Sequence, residues 1–296
     1  MRHSLRLTIV AFSFGGAAAL AQAPADVETV LFRVGERVGE YYRRAQSVMC
    51  IEKYTVQPLG AGSFGPAGLA RTTESELRIE TDAGDADGDG STGETKVLRV
   101  IRKINGRPPR ERDKKDVSSC TDPNPLSPEP LEFLLPAHRA EHIFTMGGRG
   151  RGKDRDLLIL DFKSVPTREK AELVEADSGK DDCYDTKGEI PTRGRVWVDA
   201  ESFDVMRVEA HVIGPVDIRV PLSISRKRHV SDWMVIDRID QTLRFKKIAF
   251  KDPDEVMLLP ESIDHMMVWR SGMQSTRRSH VFTDYQRFVT GARLVK

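Results

Sequence analysis

The sequence contains few residues of the types that carry out catalysis. Three cysteines and seven histidines occur among 296 residues, and the aromatic content is 7%. No serine lies in a G-x-S-x-G motif, and neither a P-loop nor a dinucleotide-binding motif is present. These absences favour a non-enzymatic protein that holds no cofactor and no metal ion.

An excess of charge of one sign is also missing. The 46 basic residues are balanced by 45 acidic residues. A protein that binds DNA or RNA needs clustered positive charge, because contacts with the phosphate backbone dominate its affinity. The balance therefore argues against a nucleic-acid partner.

Long apolar segments are absent after the N-terminus, where none approaches the roughly 18 residues of a membrane-spanning helix. At the N-terminus, Arg2 and Arg6 precede the apolar residues 7–20, and Ala19-Leu20-Ala21 fits the small-x-small rule of signal peptidase. This pattern predicts a signal peptide, residues 1–21, that is cleaved after Ala21. The mature chain is then expected to be soluble in the periplasm or outside the cell, and not membrane-spanning.

The number of cysteines is odd, so at least one of them has no partner within the chain. Cys120 and Cys183 lie in polar, loop-like surroundings, which suit a disulfide at the surface of an exported protein. Cys50 lies among alternating apolar residues, where a cysteine packs as a small hydrophobic side chain. The sequence therefore predicts a disulfide between Cys120 and Cys183 and a buried thiol at Cys50.

The spacing of apolar residues changes along the mature chain. Between residues 26 and 45, apolar side chains recur every three or four positions, which predicts an amphipathic helix. Beyond it, apolar and polar residues alternate, and short connections predict antiparallel neighbours joined by hairpins. The predicted strands are 47–57, 70–81, 95–104, 140–148, 156–163, 193–200, 204–212, 216–224, 232–247, 261–270 and 276–289.

Several predicted strands are apolar on one face alone, as in the segments 158–163 and 206–212. Such a sheet has one face in water and must cover the other. The predicted fold class is therefore α+β: a strongly curved antiparallel sheet, or open or incomplete β-barrel, wrapped over the N-terminal helix and a short second helix within 127–135. Residues 22–296 are predicted to form a single half-barrel domain with a proline-rich insertion at about 105–136.

Two motifs suggest metal sites but lie in unsuitable surroundings. The segment from His138 to His142 matches the H-x-x-E-H pattern of zinc peptidases, which needs both histidines on one helical turn. The residues that follow alternate as a strand, in which positions four apart are about 13 Å distant. The segment 85–90 resembles the start of a calcium-binding loop, but Lys96 stands where the closing glutamate belongs. A zinc peptidase using His138, Glu141 and His142 is a minor alternative.

Residues 194–209 read GRVWVDAESFDVMRVE, which predicts a strand, an acidic turn and a second strand. This segment resembles the central hairpin of periplasmic lipoprotein carriers of the Lol type and of related envelope sensors. The segment 282–288 is similar to the closing strand of secreted proteins that share this hairpin. The resemblance implies a curved half-barrel with an apolar cavity that takes acyl chains.

The same resemblance implies which residues would line the cavity, namely Leu158, Leu160, Phe162, Met206, Val208 and Val212. The leading hypothesis is a non-enzymatic periplasmic protein that binds a lipid or the acyl chain of a lipoprotein. The alternative is an envelope sensor or assembly factor whose curved sheet binds a protein partner.

Overall fold

The computed structural model describes residues 26–45, 48–60, 65–81, 95–111, 131–167, 170–175, 183–251, 254–270 and 273–287. The predicted signal peptide, the segment 85–90 and Cys120 lie outside these residues. No helix within them is long and apolar enough to cross a membrane. The signal peptide and the single domain at 22–296 stay predictions.

Helix α1 (Val27–Ala45) is the predicted amphipathic helix. The carboxylate of Asp26 accepts a 3.4 Å hydrogen bond from the backbone N–H of Thr29, which caps the first turn. One side of α1 is buried, and it carries Val30, Leu31, Val34 and Val38. The three-and-four spacing read from the sequence is therefore the side that packs on the sheet.

The strands come after α1 in the described chain. They are β1 (Val48–Pro58), β2 (Arg71–Thr81), β3 (Thr95–Ile104), β4 (His142–Arg151), β5 (Asp156–Ser164), β6 (Glu172–Glu175), β7 (Tyr184–Lys187), β8 (Thr192–Asp199), β9 (Val205–Val212), β10 (Val216–Arg219), β11 (Trp233–Lys251), β12 (Asp254–Trp269) and β13 (Thr276–Arg287). A second helix, α2 (Leu222–Arg228), and two 3-10 turns, η1 (Glu132–Leu134) and η2 (Arg139–Glu141), complete the described elements.

These strands form one sheet in the order β3-β2-β1-β13-β12-β11-β9-β8-β5-β4. Neighbours along this path are antiparallel, and the first and last strands of the described chain, β1 and β13, pair with each other. Strands β3 and β4 lie at the two ends of the path, so the sheet is not closed. The predicted α+β fold with an open, curved antiparallel sheet is confirmed.

A short branch extends the sheet beside the long strand β11. The first residues of β11 pair with β10, and its middle pairs with β9. Strand β10 also pairs with β6 and, through it, with β7. A second apolar cluster lies at this branch and includes Ile218, Ile236 and Trp269.

The predicted strand 216–224 is wrong in its second half. Strand β10 ends at Arg219, and α2 begins after Pro221. Proline has no N–H for the ladder, and its fixed φ suits the start of a helix. Ile224 is buried on α2 while Leu222 is 60% exposed, so two residues expected on one strand face point in different directions.

Two other differences have local causes. Strand β12 begins at Asp254 rather than 261 and continues through Pro260. A register shift at Arg244/Phe245 of β11 faces this proline and accommodates its missing N–H. Strands β6 and β7 have four residues each, too few for alternation to predict them. The short second helix expected within 127–135 is represented by the three-residue turn η1, and residues 112–130 lie outside the described chain.

Candidate functional site

Four of the six predicted lining residues form one buried apolar layer on the concave face of the sheet. Leu158, Leu160, Phe162 and Val208 have exposures between 0 and 6%. In the strand register, Leu160 faces Val196, which faces Val208, and the line continues through Leu243 to Ile263. This line crosses five neighbouring strands, β5, β8, β9, β11 and β12, and is about 19 Å long at the usual strand spacing. We use the name apolar layer for this line together with Leu158 and Phe162.

Met206 and Val212 occupy different positions from the other four. A bulge between Trp197 and Val198 shifts the register of β8 and β9, so that Val198 faces Val205. Val205 is buried, whereas Met206 is half-buried with its sulfur 4.0 Å from Nη1 of Arg155. Val212, at the far end of β9, is half-buried as well. The bulge thus interrupts the alternation at Met206, and the role of Met206 and Val212 in lining a ligand site stays a prediction.

The apolar layer is covered by α1 and the segment 131–141, which we call the cover. Val30, Leu31, Val34 and Val38 of α1 share one apolar cluster with Leu131 and Leu134 and with the layer itself. A cavity of about 30 Å³ lies under the second half of α1, beside Val38, Tyr41 and Leu131. That volume admits about one water molecule. In this closed arrangement the concave face is packed, so a ligand has to displace the cover.

Arginine side chains join the two parts of the cover to each other and to the sheet. Arg139 donates from Nε to the backbone oxygen of Leu134 at 3.0 Å and from Nη2 to that of Leu31. Its guanidinium lies against Gly35 of α1, where any side chain would overlap with it. Arg139 thus joins η2, η1 and α1 across the absent side chain of a glycine.

Arg37 and Arg44 hold α1 to the sheet itself. Arg37 lies 2.9 Å from Asp204, and Arg44 lies 2.8 Å from Glu255. Burial alone would raise the pKa of Asp204, but hydrogen bonds from Ser202, Lys247 and Arg37 outweigh it and hold that pKa below its usual value. These attachments are polar and partly exposed, while the contacts between them are apolar.

The residues of the H-x-x-E-H motif do not share a helical turn. His138 precedes η2 and lies 2.8 Å from Glu132, while His142 is the first residue of β4. The ring of His142 packs against Phe133 and Phe162, with centroid distances of 5.5 and 5.9 Å. No group of three or more potential ligands that could hold a metal ion occurs among the described residues. The arrangement needed for a zinc peptidase is not formed.

A buried ionic cluster lies on the concave face beyond the end of the apolar layer. Glu52 of β1 is fully buried, and its carboxylate accepts hydrogen bonds from Arg99 at 2.6 and 3.2 Å and from Nδ1 of His280 at 2.8 Å. Burial alone would raise the pKa of Glu52, but the hydrogen bonds from His280 and Arg99 hold it below its usual value. We call Glu52, Arg99 and His280 the buried triad.

A row of polar side chains runs beside the apolar layer. On β11 and β12 its residues stand two positions from Leu243 and Ile263 of the layer. In the register, Gln241 of β11 faces His265 of β12, which faces Arg278 of β13. Burial, followed by the charges of Arg278 and His280, lowers the pKa of His265 to about 4. His265 is therefore neutral near pH 7. We call Gln241, His265 and Arg278 the polar row.

The chain matches three solved structures over about nine tenths of its length. The first is an outer-membrane lipoprotein-sorting protein domain from Vibrio parahaemolyticus, with 12% identity over 90% of this chain and 96% of that chain and a TM-score of 0.42. The second is a LolA-superfamily protein from Nitrosomonas europaea, with 9% identity over 92% of this chain and 98% of that chain and a TM-score of 0.34. The third is a DUF1329-family protein from Desulfovibrio piger, with 10% identity over 90% of this chain and 95% of that chain and a TM-score of 0.38. Two of the three are described as lipoprotein-sorting or LolA-superfamily proteins, the group that residues 194–209 resemble. No protein-family model matches the chain, and no curated protein matches it.

A separate groove of about 520 Å³ lies on the opposite, outer face of β4, β5, β8 and β9. Its walls include Ile143, which is 52% exposed, and the ion pair between Arg195 and Asp161 at 2.6 Å. Two more of its charged or titratable side chains have ionic partners beside the groove, Glu209 with Arg207 and His211 with Asp240, as expected for the wet face of a sheet. The concave face is therefore the stronger candidate.

Cys50 is a buried free thiol on the concave face, as predicted. Burial, with a smaller contribution from Glu52, raises the pKa of Cys50 to about 12, so the reactive thiolate is scarce near neutral pH. Cys183 is also buried, at 5% exposure. Its pairing with Cys120 stays a prediction.

The buried triad and the polar row were missed in the sequence. Glu52 stands in the same alternation phase as Cys50 and Tyr54, which is the signal that it points inward. His265 and His280 looked scattered because their neighbours come from other strands. Assigning each charged residue to one face of its strand by alternation would have shown that these side chains share the inward face.

Proposed function

We propose that the protein is a non-enzymatic periplasmic carrier that binds the acyl chain of a lipid or lipoprotein between the apolar layer and the cover. The single observation that carries the proposal is the apolar layer itself, a line of buried side chains about 19 Å long that is covered by one helix and a short segment. An extended acyl chain matches this shape and chemistry. Deep in the layer, Leu160 and Val196 offer an acyl chain no polar group to desolvate.

The energies of the two occupants are comparable. Burial of an acyl chain of about 16 carbons contributes roughly 12 kcal/mol. The six apolar side chains by which the cover packs on the sheet contribute roughly 9 to 18 kcal/mol when they are buried. Exchange between a closed state and a loaded state is therefore close to balanced, which a carrier needs in order to load and to release.

The cover is built so that it can detach as a unit. Arg139 holds its two parts together, and the attachments of the cover to the sheet at Arg37 and Arg44 lie at the margins, where water can take over their hydrogen bonds. Between these attachments the cover makes apolar contacts with the apolar layer, and an acyl chain can replace them with apolar contacts of its own. An enzymatic role has less support, because the thiol of Cys50 is protonated and the carboxylate of Glu52 is already engaged.

The test is to identify the molecule that co-purifies with the protein. The full chain is expressed in a Gram-negative host, purified from the periplasm without refolding, and analysed by native and denaturing mass spectrometry. We expect a lipid or lipid-modified peptide in near-stoichiometric amount, or its uptake from vesicles of host phospholipid. A protein free of lipid that takes up none would contradict the proposal. A stoichiometric protein partner in place of lipid would favour the sensor or assembly factor.

A further inference from the structure

The polar row places a positive charge on the concave face that the protein itself does not neutralise. Arg278 is half-buried, and its Nε atom is buried without a hydrogen-bond acceptor in the part of the chain that the structure describes. No carboxylate among the same residues forms an ion pair with it. A buried donor left in this way is unfavourable unless a ligand or a water molecule supplies the acceptor, and a guanidinium favours an acceptor that is negatively charged.

The nearest buried acid does not fill this role. The carboxylate of Glu52 accepts two hydrogen bonds from Arg99 and one from His280. Its negative charge is therefore shared between two partners within the buried triad. Arg278, two residues from His280 on the same face, remains without an ionic partner among the described residues.

The neighbours of Arg278 are suited to an anion. His265 and Gln241 follow Arg278 across the sheet in register. A neutral imidazole donates one N–H, and the amide of Gln241 donates two, whereas neither adds a negative charge. With the guanidinium they form a row of donors that matches a carboxylate or a phosphate.

The position of this row relates it to the acyl site. His265 lies two residues from Ile263 on β12, and Gln241 lies two residues from Leu243 on β11. In a strand that spacing is about 7 Å along one face. Ile263 and Leu243 belong to the apolar layer, so a ligand whose chain lies in the layer would bring its end group to the polar row.

We infer that Arg278, together with His265 and Gln241, binds the anionic head group, a carboxylate or phosphate, of an amphiphile whose acyl chain occupies the apolar layer. This inference rests on the proposed function and narrows it. The cargo is then a fatty acid or an anionic lipid rather than a lipid-modified peptide, whose acylated end carries no anionic group.

The experiment compares two fluorescent probes with the same chain, dansylamino-undecanoic acid and its methyl ester, in titrations of the full chain after delipidation. We expect the wild type to bind the acid roughly tenfold or more tightly than the ester, because only the acid offers a charged partner. Arg278→Gln should abolish the preference, chiefly by weakening binding of the acid. Arg278→Lys, which keeps the charge, should retain several-fold preference.

The matched control is Arg277→Gln. Arg277 is the neighbouring residue of β13, exposed on the opposite face, so its loss should not change the preference. Inorganic phosphate alone is titrated as a further arm. Competition with the acid but not with the ester would support the anion site. Phosphate binding as tight as that of the acid would identify a site for free phosphate and overturn the head-group assignment.

The two proposals fail in different ways. Equal binding of acid and ester by the wild type would overturn the head-group site while the acyl site stands. Binding of neither probe would overturn both. Because the wild type alone gives these outcomes, the test does not depend on whether a variant folds; circular dichroism shows whether each variant has kept the sheet.

Discussion

Nδ1 of His280 lies 2.8 Å from Oε1 of Glu52, although 228 residues separate them in the chain. The contact joins β13 to β1 on the concave side of the sheet. Glu52 also accepts hydrogen bonds from Arg99 of β3, so one carboxylate links three strands. Removal of the carboxylate leaves two buried donors without their charged partner.

We expect Glu52→Gln to lower the free energy of unfolding by roughly 3 to 5 kcal/mol, the usual effect of breaking a buried ion pair on one side. Urea unfolding near pH 7 measures it. Since the pKa of Glu52 is lowered in the folded state, its stabilisation is complete above the unfolded pKa and is lost as the pH falls through the folded one. The difference between variant and wild type should therefore shrink in acid.

The control for this variant is Glu74→Gln. Glu74 forms a 2.7 Å ion pair with Lys103 on the wet face, with a third of its side chain exposed. Exposed pairs contribute about 1 kcal/mol or less. Equal losses for both variants would show that the triad does not stabilise the sheet.

His265 predicts a second pH dependence. Its folded pKa of about 4 lies below the unfolded value of 6.5, so the unfolded chain takes up the proton first as the pH falls. The wild type should lose up to about 3 kcal/mol of unfolding free energy between pH 6.5 and pH 4 through this residue. His265→Gln should show a correspondingly smaller loss over that range, and identical pH profiles would contradict the burial of a neutral His265 between Gln241 and Arg278.

Gly194 has no space for a side chain. A Cβ atom at this position would overlap with the backbone oxygen of Glu209 and with the ring of Phe162. We expect Gly194→Ala to destabilise the protein by roughly 2 kcal/mol or more. Gly150→Ala in β4 is the matched change, because its Cβ would meet only the flexible end of Ile159 at 3.3 Å. That variant should be neutral or slightly stabilising in thermal unfolding.

The attachment by Arg139 predicts an effect on ligand binding. Arg139→Gln removes the hydrogen bond that joins the segment 131–141 to α1, so the two parts of the cover separate more readily and the population of the open state rises. We expect the apparent affinity for the acyl probe to rise roughly fivefold, because about 1 kcal/mol is lost with that bond. Arg33→Gln, on the exposed side of α1, should leave it unchanged. A weaker affinity in Arg139→Gln would argue that the closed cover forms part of the ligand site.

The predicted disulfide is tested by counting thiols. Unfolding without reductant should expose one reactive thiol, Cys50, if Cys120 and Cys183 are paired. Unfolding with reductant, which is removed before the assay, should expose all three. In the folded protein Cys50 should react slowly, because it is buried and protonated. Three thiols in the unreduced sample would disprove the pairing.

Alternation and helical spacing predicted most of the sheet and α1, because each is a local pattern of burial. They failed where one residue interrupts a local pattern: Pro221 starts a helix inside an apolar alternation, and the bulge after Trp197 breaks the alternation at Met206. The candidate site was predictable only in its apolar half. Glu52 and His280 carry no local signal for each other, because their contact depends on the pairing of distant strands.

The pairing of β1 with β13 has a consequence for biosynthesis. Strands β3, β2 and β1 form one block of the sheet, and β12 through β4 connect to it only by way of β13. Among the described strands, the one that joins the two blocks, β13, follows all the others in the chain. A nascent or truncated chain therefore presents two open sheet edges where the finished protein has a continuous ladder, and such edges recruit other strands. Until β13 emerges, the chain should depend on chaperones that keep it unfolded.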